Sequence, residues 1–314
     1  MAKTKSKSAT HNPKNTWKYD LKKNGALYLI FLIPFTFLLI FKYIPMVGIL
    51  MAFQDYKVAK GLFGSPWVGL DKFKELFAGA QFGYAFRNTV YMALLNLTLG
   101  FIIPVILGLL ISQVRNKRTS RVVQTTTYMP YFVAPVVVCT LAKEFLKGGA
   151  ITMFLTMFGL PNQNWLAVNS PVFWFINCFL GIWQGAGYGA IVYIAAINGI
   201  DQNLYEAACI DGASRWQRLW NITIPSIVPL VVMMFTMQIG LVFMTGFDKV
   251  LLLYMPTTYE FSDCLSTYTY RMAFSAGNDF SLSTASGLLQ SIIGTLLLIF
   301  GNKMSEKATK MSLF

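Results

Sequence analysis

Residues 171–199 read PVFWFINCFLGIWQGAGYGAIVYIAAING and contain no charged side chain. An apolar run of this length is long enough to cross a bilayer core of about 30 Å, which needs roughly 20 helical residues. Further apolar runs lie at about 26–53, 88–113, 127–147, 225–246 and 281–302. We therefore predict an all-α, polytopic membrane protein with six transmembrane helices, the whole membrane domain extending over residues 26–302.

The composition of the 314-residue chain supports this prediction. Hydrophobic residues make up 55% and charged residues only 12%, and the mean hydropathy is +0.52. Soluble globular domains carry about 25% charged residues, so a soluble protein is excluded. The net charge of +13 would suggest nucleic acid on a soluble chain, but here it is concentrated in tails and loops. We therefore expect no nucleic-acid partner and assign the charge to orientation in a bilayer.

Orientation follows from the distribution of basic residues. Six spans place both chain ends on one side, together with two of the loops, and this side holds most of the 26 Lys and Arg residues. By the positive-inside rule it is the cytoplasmic side. The segments assigned to it are the basic N-terminal tail 1–25, the loops 114–126 and 200–224, and the C-terminal tail 303–314. The first span is expected to be a retained anchor rather than a cleaved signal, bent at Pro34 and Pro45.

Several function classes lack the residues they need. The four cysteines form no CxxC pair and the only histidine is His11, which argues against a metal site. No Gly-rich phosphate loop ending in Lys-Ser/Thr is present, so the chain is not its own ATPase. No Asp or Glu lies well inside a predicted span, whereas a secondary transporter usually needs such acids for ion coupling. Lys42 is the only ionisable residue well inside a span, and snorkelling to the interface is favoured over a functional charge.

The loop at 200–224 has the pattern of two short helices joined at a bend. Asp201 suits the N-cap of the first helix, and Gly212 suits a left-handed stop after it. Ser214 and Gln217 have the spacing of a capping box for the second helix. That helix places Trp216 and Trp220 on one face. A plain structured connector remains the alternative to a docking surface.

The same loop resembles a known signature. Glu206-Ala207-Ala208, then Gly212 after three residues, then Ile222-Thr223-Ile224-Pro225 after nine, is similar to the EAA motif of binding-protein-dependent ABC importer permeases. Asp211-Gly212-Ala213 matches the extended form, while Ile224 stands where Leu is usual. Four further stretches resemble the carbohydrate-uptake branch, so that the resemblance covers about residues 26–300: Tyr43-Ile44-Pro45, Phe53-Gln54-Asp55-Tyr56, Trp67–Phe73 and Phe86-Arg87-Asn88-Thr89.

The resemblance implies a type I importer permease that is not itself an enzyme. The loop would dock a separate ATPase subunit, which would bind ATP and Mg²⁺, and this chain would hold no cofactor. Expected partners are a second homologous permease forming a heterodimer, two ATPase subunits, and an extracellular or lipid-anchored solute-binding protein that delivers an oligosaccharide in a bacterial plasma membrane. A non-sugar solute and, more remotely, a secondary transporter are the alternatives. The residues assigned to coupling are Glu206, Ala207, Ala208, Asp211, Gly212, Ala213, Trp216, Trp220 and Pro225.

A substrate pathway is expected among amide and aromatic residues within the spans. Sugars are bound by amide donors and acceptors and by aromatic faces, and Trp183, Gln184, Tyr188 and Gln238 supply both kinds of group. The alternative is that these residues satisfy neighbouring helices or lie at interfaces. The repeat of Gly181, Gly185 and Gly189 predicts a close-packing helix face, with a sliding or partner-facing surface as its functional alternative.

Overall fold

The computed structural model describes residues 17–243, 246–274 and 278–309, and every named element in these ranges is a helix. The chain divides after Leu50 into two compact units. Helix α1 (Trp17–Leu38) continues through a wide π turn (Leu39–Tyr43) into a 3₁₀ segment (Ile44–Phe53), within which the division falls. Pro34 lies inside α1, and Pro45 lies in the 3₁₀ segment. Lys42, in the π turn, is exposed.

The remaining helices belong to the second unit. In chain order they are α2 (Gly61–Gly64), α3 (Asp71–Ala78), α4 (Ala80–Leu95), α5 (Phe101–Ser112), α6 (Lys117–Tyr128), α7 (Pro135–Leu146), α8 (Ala150–Thr156), α9 (Val172–Asn198), α10 (Gln202–Ile210), α11 (Arg215–Arg218), α12 (Ile224–Leu241), α13 (Phe247–Leu253), α14 (Tyr259–Ser262), α15 (Leu265–Phe274) and α16 (Phe280–Thr309). The prediction of an all-α membrane fold is confirmed.

Five helical segments of the described residues are each long and apolar enough to cross a membrane. They are Asp20–Phe53, Ala80–Ser112, Val172–Asn198, Arg215–Leu241 and Phe280–Lys307. The second consists of α4 and α5, joined through a π turn at Asn96–Gly100. It begins at Ala80, earlier than the predicted residue 88. The span predicted at 171–199 agrees with α9 within one residue at each end.

The span predicted at 127–147 is not a single straight helix. Lys117–Phe132 and Pro135–Thr156 are bent by 92° relative to each other, and together they form the sixth candidate span. The break lies at Val133 and Ala134, whose backbones are extended. The cause is Pro135, because a proline disfavours the helical conformation of the residue before it. The short helix α8 follows α7 directly within the second of these two pieces.

The core of the second unit is formed mainly where the long helices cross. α5 packs along α9, and α16 packs against α12 and α15. One buried cluster includes Phe82, Leu265 and Met272, and a second includes Phe173, Trp174 and Leu253. This packing holds α9 in the middle of the unit, with residues 200–224 following directly from its C-terminal end.

Candidate functional site

The loop at 200–224, called the coupling loop below, has the helix–bend–helix form that the sequence predicts. Asp201 caps α10, because its side chain accepts a hydrogen bond from the backbone N–H of Asn203 at 3.0 Å. Gly212 has φ +76°, the left-handed conformation that suits glycine. The N–H of Ala213 then bonds the carbonyl of Ala208 at 2.9 Å, which closes the helix end.

The second helix of the coupling loop begins at the predicted capping box. The N–H of Ser214 donates to Oε1 of Gln217 at 2.7 Å, and the N–H of Gln217 donates to Oγ of Ser214 at 3.3 Å. α11 does not stop before the membrane but continues through a π turn at Leu219–Thr223 into α12. The wide turn lies directly before Pro225, whose nitrogen cannot donate to the carbonyl four residues back. The coupling loop is thus continuous with the fifth span, which was predicted to begin at Pro225.

Two side-chain bonds tie the halves of the coupling loop together. Nη1 of Arg218 lies 2.8 Å from Sγ of Cys209. The hydroxyls of Tyr205 and Thr223 lie 2.8 Å apart. Both bonds connect α10 to the segment that leads into α12.

The outer face of the coupling loop is unusually apolar for an exposed surface. The side chains of Ile210, Trp216 and Trp220 are 87%, 71% and 62% exposed. Glu206 is also exposed, and its carboxylate has no hydrogen bond or ion pair among the described residues. Ile210 lies one helical turn after Glu206, on the same face of α10, and was not among the residues singled out from the sequence. Exposed apolar groups of this size next to a free carboxylate are typical of a docking surface.

The other coupling residues predicted from the sequence lie around the same bend. Ala207, Asp211 and Gly212 are exposed, whereas Ala208 and Ala213 are half-buried. Beneath them is a cavity of about 310 Å³ whose lining includes Arg115, Arg215 and Arg218. The surface presented here is therefore acidic and apolar at its tip and basic at its base.

A second candidate site is a pocket among the spans. It has a volume of about 450 Å³ and is lined by residues of the π turn Asn96–Gly100, of α5, α9 and α12, and of the start of α13. Its polar lining includes Asn96, Asn177, Gln238 and Lys249. The glycine face of α9 lines this pocket through Gly181, Gly185 and Gly189. A Cβ on Gly185 would meet nothing within 4 Å, so this glycine leaves open space, whereas a Cβ on Gly189 would lie 3.3 Å from Pro104, so that glycine allows α9 to pack closely on α5.

The four residues predicted to face a substrate pathway do not line one common site. Gln238 lines the pocket, and its Nε2 donates to the carbonyl of Asn96 at 3.3 Å. Gln184 is buried and donates to the carbonyl of Val133 at 2.7 Å, which joins α9 to the break before α7. Tyr188 stacks on Tyr131 with ring centroids 3.9 Å apart. Trp183 borders a separate, largely apolar cavity of about 630 Å³ formed with α7.

The sequence analysis did not select Lys249, because residues 247–280 were assigned to an external loop. The fifth span ends at Leu241, and α13 then turns inward, with Gly246 at φ +93° forming the N-cap. A Cβ on Gly181 would lie 3.7 Å from Nζ of Lys249, so the amine reaches the middle of α9. The signal that was available is that Lys249 directly precedes the apolar stretch Val250–Leu253.

The segment 254–274, called the outer segment below, lies at the opposite end of α9 from the coupling loop. Nε1 of Trp174, in the first turn of α9, donates to the carbonyl of Phe261 at 2.7 Å. Nδ2 of Asn88 donates to the carbonyls of Glu260 and Asp263 at 3.0 and 2.9 Å. The Phe86–Thr89 stretch thus anchors the outer segment to α4.

A buried ion pair completes the outer segment. Nη2 of Arg271 lies 2.5 Å from Oδ2 of Asp263, with 9% and 2% of the two side chains exposed. Burial raises the pKa of the Asp263 carboxyl, while the Thr267 hydroxyl and the Arg271 guanidinium oppose that rise. Arg271 also donates to Oε1 of Gln81 at 3.1 Å and lies over the ring of Tyr259.

These features define a class of protein: an all-α membrane protein with a polar pocket among its spans and a folded, exposed loop continuous with one of them. The chain belongs to the family of inner membrane components of binding-protein-dependent transport systems, which it matches over residues 100–310. The matched range includes the coupling loop and all of the polar pocket except Asn96. The predicted membership of the ABC importer permeases is thereby confirmed, and with it a transport role in the bacterial inner membrane.

Similar proteins are known from several transport systems. Over 283 residues the chain is 38% identical to the polygalacturonan/rhamnogalacturonan transport system permease protein YteP of Bacillus subtilis, covering 90% of this chain and 88% of that protein. It is 30% identical to the sn-glycerol-3-phosphate transport system permease protein UgpA of Escherichia coli, over 76% of this chain and 78% of that protein. One chain of a bacterial alginate ABC transporter, in complex with an alginate pentasaccharide-bound periplasmic protein, matches with a TM-score of 0.86 at 37% identity, over 96% of this chain and 100% of that one.

Proposed function

We propose that this chain is the permease subunit of an ATP-driven importer that moves an oligosaccharide across the bacterial plasma membrane. The observation that carries the proposal is the coupling loop, a rigid, exposed and partly apolar surface that is continuous with the fifth span. Both termini lie in the cytoplasm, as the distribution of Lys and Arg favours. The chain supplies no catalytic group of its own.

Coupling depends on the contact between this loop and a separate ATPase subunit. Glu206 and Ile210 enter the ATPase surface, Ala207 and Ala208 allow a close approach, and Gly212 holds the bend. Trp216 and Trp220 contact the ATPase beside them. ATP and Mg²⁺ bind to that subunit, and closure of two such subunits displaces α10. Because α11 runs into α12 without a break, the displacement reaches the helix that carries Gln238.

The remaining partners follow from the same proposal. A second, homologous but different permease completes the membrane pathway as a heterodimer. An extracellular or lipid-anchored binding protein delivers the substrate, as the periplasmic protein does in the alginate system. The names of YteP and of the alginate transporter favour an oligosaccharide derived from a plant or algal polysaccharide. The resemblance to UgpA keeps a non-sugar solute such as sn-glycerol 3-phosphate as the second candidate.

Purification of the tagged protein from its native membrane in mild detergent tests the assembly. We expect an ATPase and a second permease to be recovered with it, and the ATP hydrolysis of the complex to be stimulated by its oligosaccharide and binding protein. Recovery of the chain without an ATPase in several detergents would reduce the coupling loop to a connector. A stimulation by sn-glycerol 3-phosphate alone would favour the second candidate.

Variants in the coupling loop test its role directly. Glu206→Lys reverses the free carboxylate, and Gly212→Pro imposes a φ near −65° where the bend has φ +76°. Each is expected to lower ATPase recovery and uptake roughly tenfold or more. For Glu206→Lys the reason is that a reversed charge at an interface costs several kcal/mol. For Gly212→Pro the reason is that the bend between the two helices cannot form. Glu144→Lys makes the same charge change at an exposed residue of α7 and is the matched control. Intact assembly and uptake in both loop variants would show the assignment to be wrong.

A further inference from the structure

Lys249 is a free cation in the polar pocket among the spans. Among residues 17–243, 246–274 and 278–309 it has no ion pair and no hydrogen bond, and no acidic residue belongs to the pocket lining. Its Nζ approaches Gly181, which lies less than halfway along α9. Charged side chains at such depth are costly, and they generally pair with another group or mark the route of a substrate. No acidic side chain of the described residues pairs with it, and the nearby thiol of Cys139 is a poor partner for a cation, so the pocket supports the second role.

A buried amide acceptor without a partner faces the same pocket. Asn177 is 5% exposed, and its Nδ2 contacts Sδ of Met92 at 3.4 Å, while its Oδ1 has no hydrogen-bond donor in the described part of the chain. Leaving a buried acceptor unsatisfied costs about 1–3 kcal/mol. A ligand that donates a hydroxyl to Asn177 and presents an anion to Lys249 would satisfy both groups.

The shape of the pocket permits a sugar to reach both groups. Its volume of about 450 Å³ lies within the range of roughly 300–1,000 Å³ of ordinary ligand pockets. Gly181 and Gly185 leave the wall of α9 bare, so that a ring can approach the helix backbone. Gln238, on α12, adds an amide on the opposite wall.

We infer that this pocket binds a sugar carboxylate at Lys249, so that the transported oligosaccharide is acidic and contains uronate residues. The inference rests on the proposed function and names the substrate class of that same pathway. A uronate carries both groups that the pocket lacks: a carboxylate for Lys249 and hydroxyl donors for Asn177. A neutral sugar would satisfy Asn177 and leave the lysine unpaired at membrane depth.

The test compares an acidic oligosaccharide with its own neutral form. The complete transporter, with its partner permease, ATPase subunits and binding protein, is reconstituted in proteoliposomes. The probes are trigalacturonate and trimannuronate, each with its fully methyl-esterified form, which keeps the size and hydroxyls but removes the charge. The readout is the ratio of acid uptake to ester uptake. Because all variants use the same binding protein, its own selectivity cancels between them.

Lys249→Gln is expected to lower the acid-to-ester ratio about tenfold, and Lys249→Arg to retain most of it, since bonds to charged groups are the stronger ones. Gly181→Asp provides a second route, because its carboxylate would pair with Lys249 without removing the lysine. It is expected to lower the same ratio, whereas Gly181→Asn, of equal size and without charge, is not. These two variants keep the inference testable if Lys249→Gln fails to assemble.

Two other results would overturn the inference in distinguishable ways. If the native transporter takes up neutral oligosaccharides and the ratio is the same in Lys249→Gln and Gly181→Asp, the inference is wrong and the proposed function stands. If no oligosaccharide stimulates ATP hydrolysis or uptake by the native transporter, the proposed function fails, and this inference fails with it.

Discussion

The two ends of α9 differ in whether the charged and apolar side chains beside them are buried or exposed. At its N-terminal end, the outer segment buries the Arg271–Asp263 pair and surrounds it with Thr267, Gln81 and the ring of Tyr259, so that among the described residues only Nε of this pair lacks a partner. At its C-terminal end, the coupling loop leaves Ile210 87% exposed and the carboxylate of Glu206 unpaired among the described residues. One end holds its charged groups within this chain, whereas the other presents apolar groups and a free carboxylate at the surface.

The difference separates residues that hold the fold from residues that stay free on the surface. Removing one partner of a buried polar pair leaves the other unsatisfied, so the outer segment depends on contacts within the chain. An exposed apolar surface next to a rigid helix adds little to the stability of the chain and is available for binding. Substitutions at the two ends should therefore separate stability from assembly.

Arg271→Met should have the largest effect on stability. It leaves the Asp263 carboxylate buried without its partner, and removing one member of a buried pair costs about 3–5 kcal/mol. The measurement is the temperature at which the detergent-solubilised protein loses its monodisperse peak in size-exclusion chromatography. Lys74→Met is the control, because Lys74 pairs with Asp71 at 2.7 Å but both side chains are largely exposed, and surface pairs contribute about 0–1 kcal/mol. Equal losses in both variants would contradict a special role for the buried pair.

Asn88→Ala should have a smaller effect in the same assay. It removes the donor to two carbonyls of the outer segment, and unsatisfied buried groups cost about 1–3 kcal/mol. Asn169→Ala removes an exposed bond of 2.8 Å to Glu260 and should cost much less. If the two variants melt at the same temperature, the anchoring of the outer segment does not depend on the Phe86–Thr89 stretch.

Local patterns account for what could be predicted from the sequence. The coupling loop is specified by caps and a left-handed glycine within a few residues of one another, and α9 by an uninterrupted apolar run. These features depend on near neighbours in the chain, so Asp201, Gly212 and Ser214 take the roles that their residue types suggest. The docking role of the loop came from its resemblance to a known signature and stays a prediction, as do the roles of Trp216 and Trp220.

What could not be predicted depends on contacts between distant segments. Lys249 is far from α9 in sequence and reaches the pocket only because α13 turns inward after the fifth span. Gln184 looks like a pathway residue by type, but a carbonyl left free at the break before Pro135 takes its amide. The resemblance named Asn88 without giving its physical role, because its two acceptors lie more than 170 positions away in sequence.

Ile210→Ser should have the smallest effect on the stability of the chain and a large effect on assembly. Exposed substitutions usually change stability by about 0.5 kcal/mol or less, so the melting temperature should match that of the unmodified protein. Burying an isoleucine in a partner contributes roughly 1.5–3 kcal/mol, which corresponds to a loss of about tenfold or more in affinity for the ATPase. Leu204→Ser is the matched control, since Leu204 is 50% exposed on the opposite face of α10 from Glu206. Co-purification of the ATPase, quantified for both variants, gives the result. An equal loss in both variants would show that the contact does not depend on Ile210 in particular. A lower melting temperature for Ile210→Ser alone would show that Ile210 stabilises the fold rather than binding the partner.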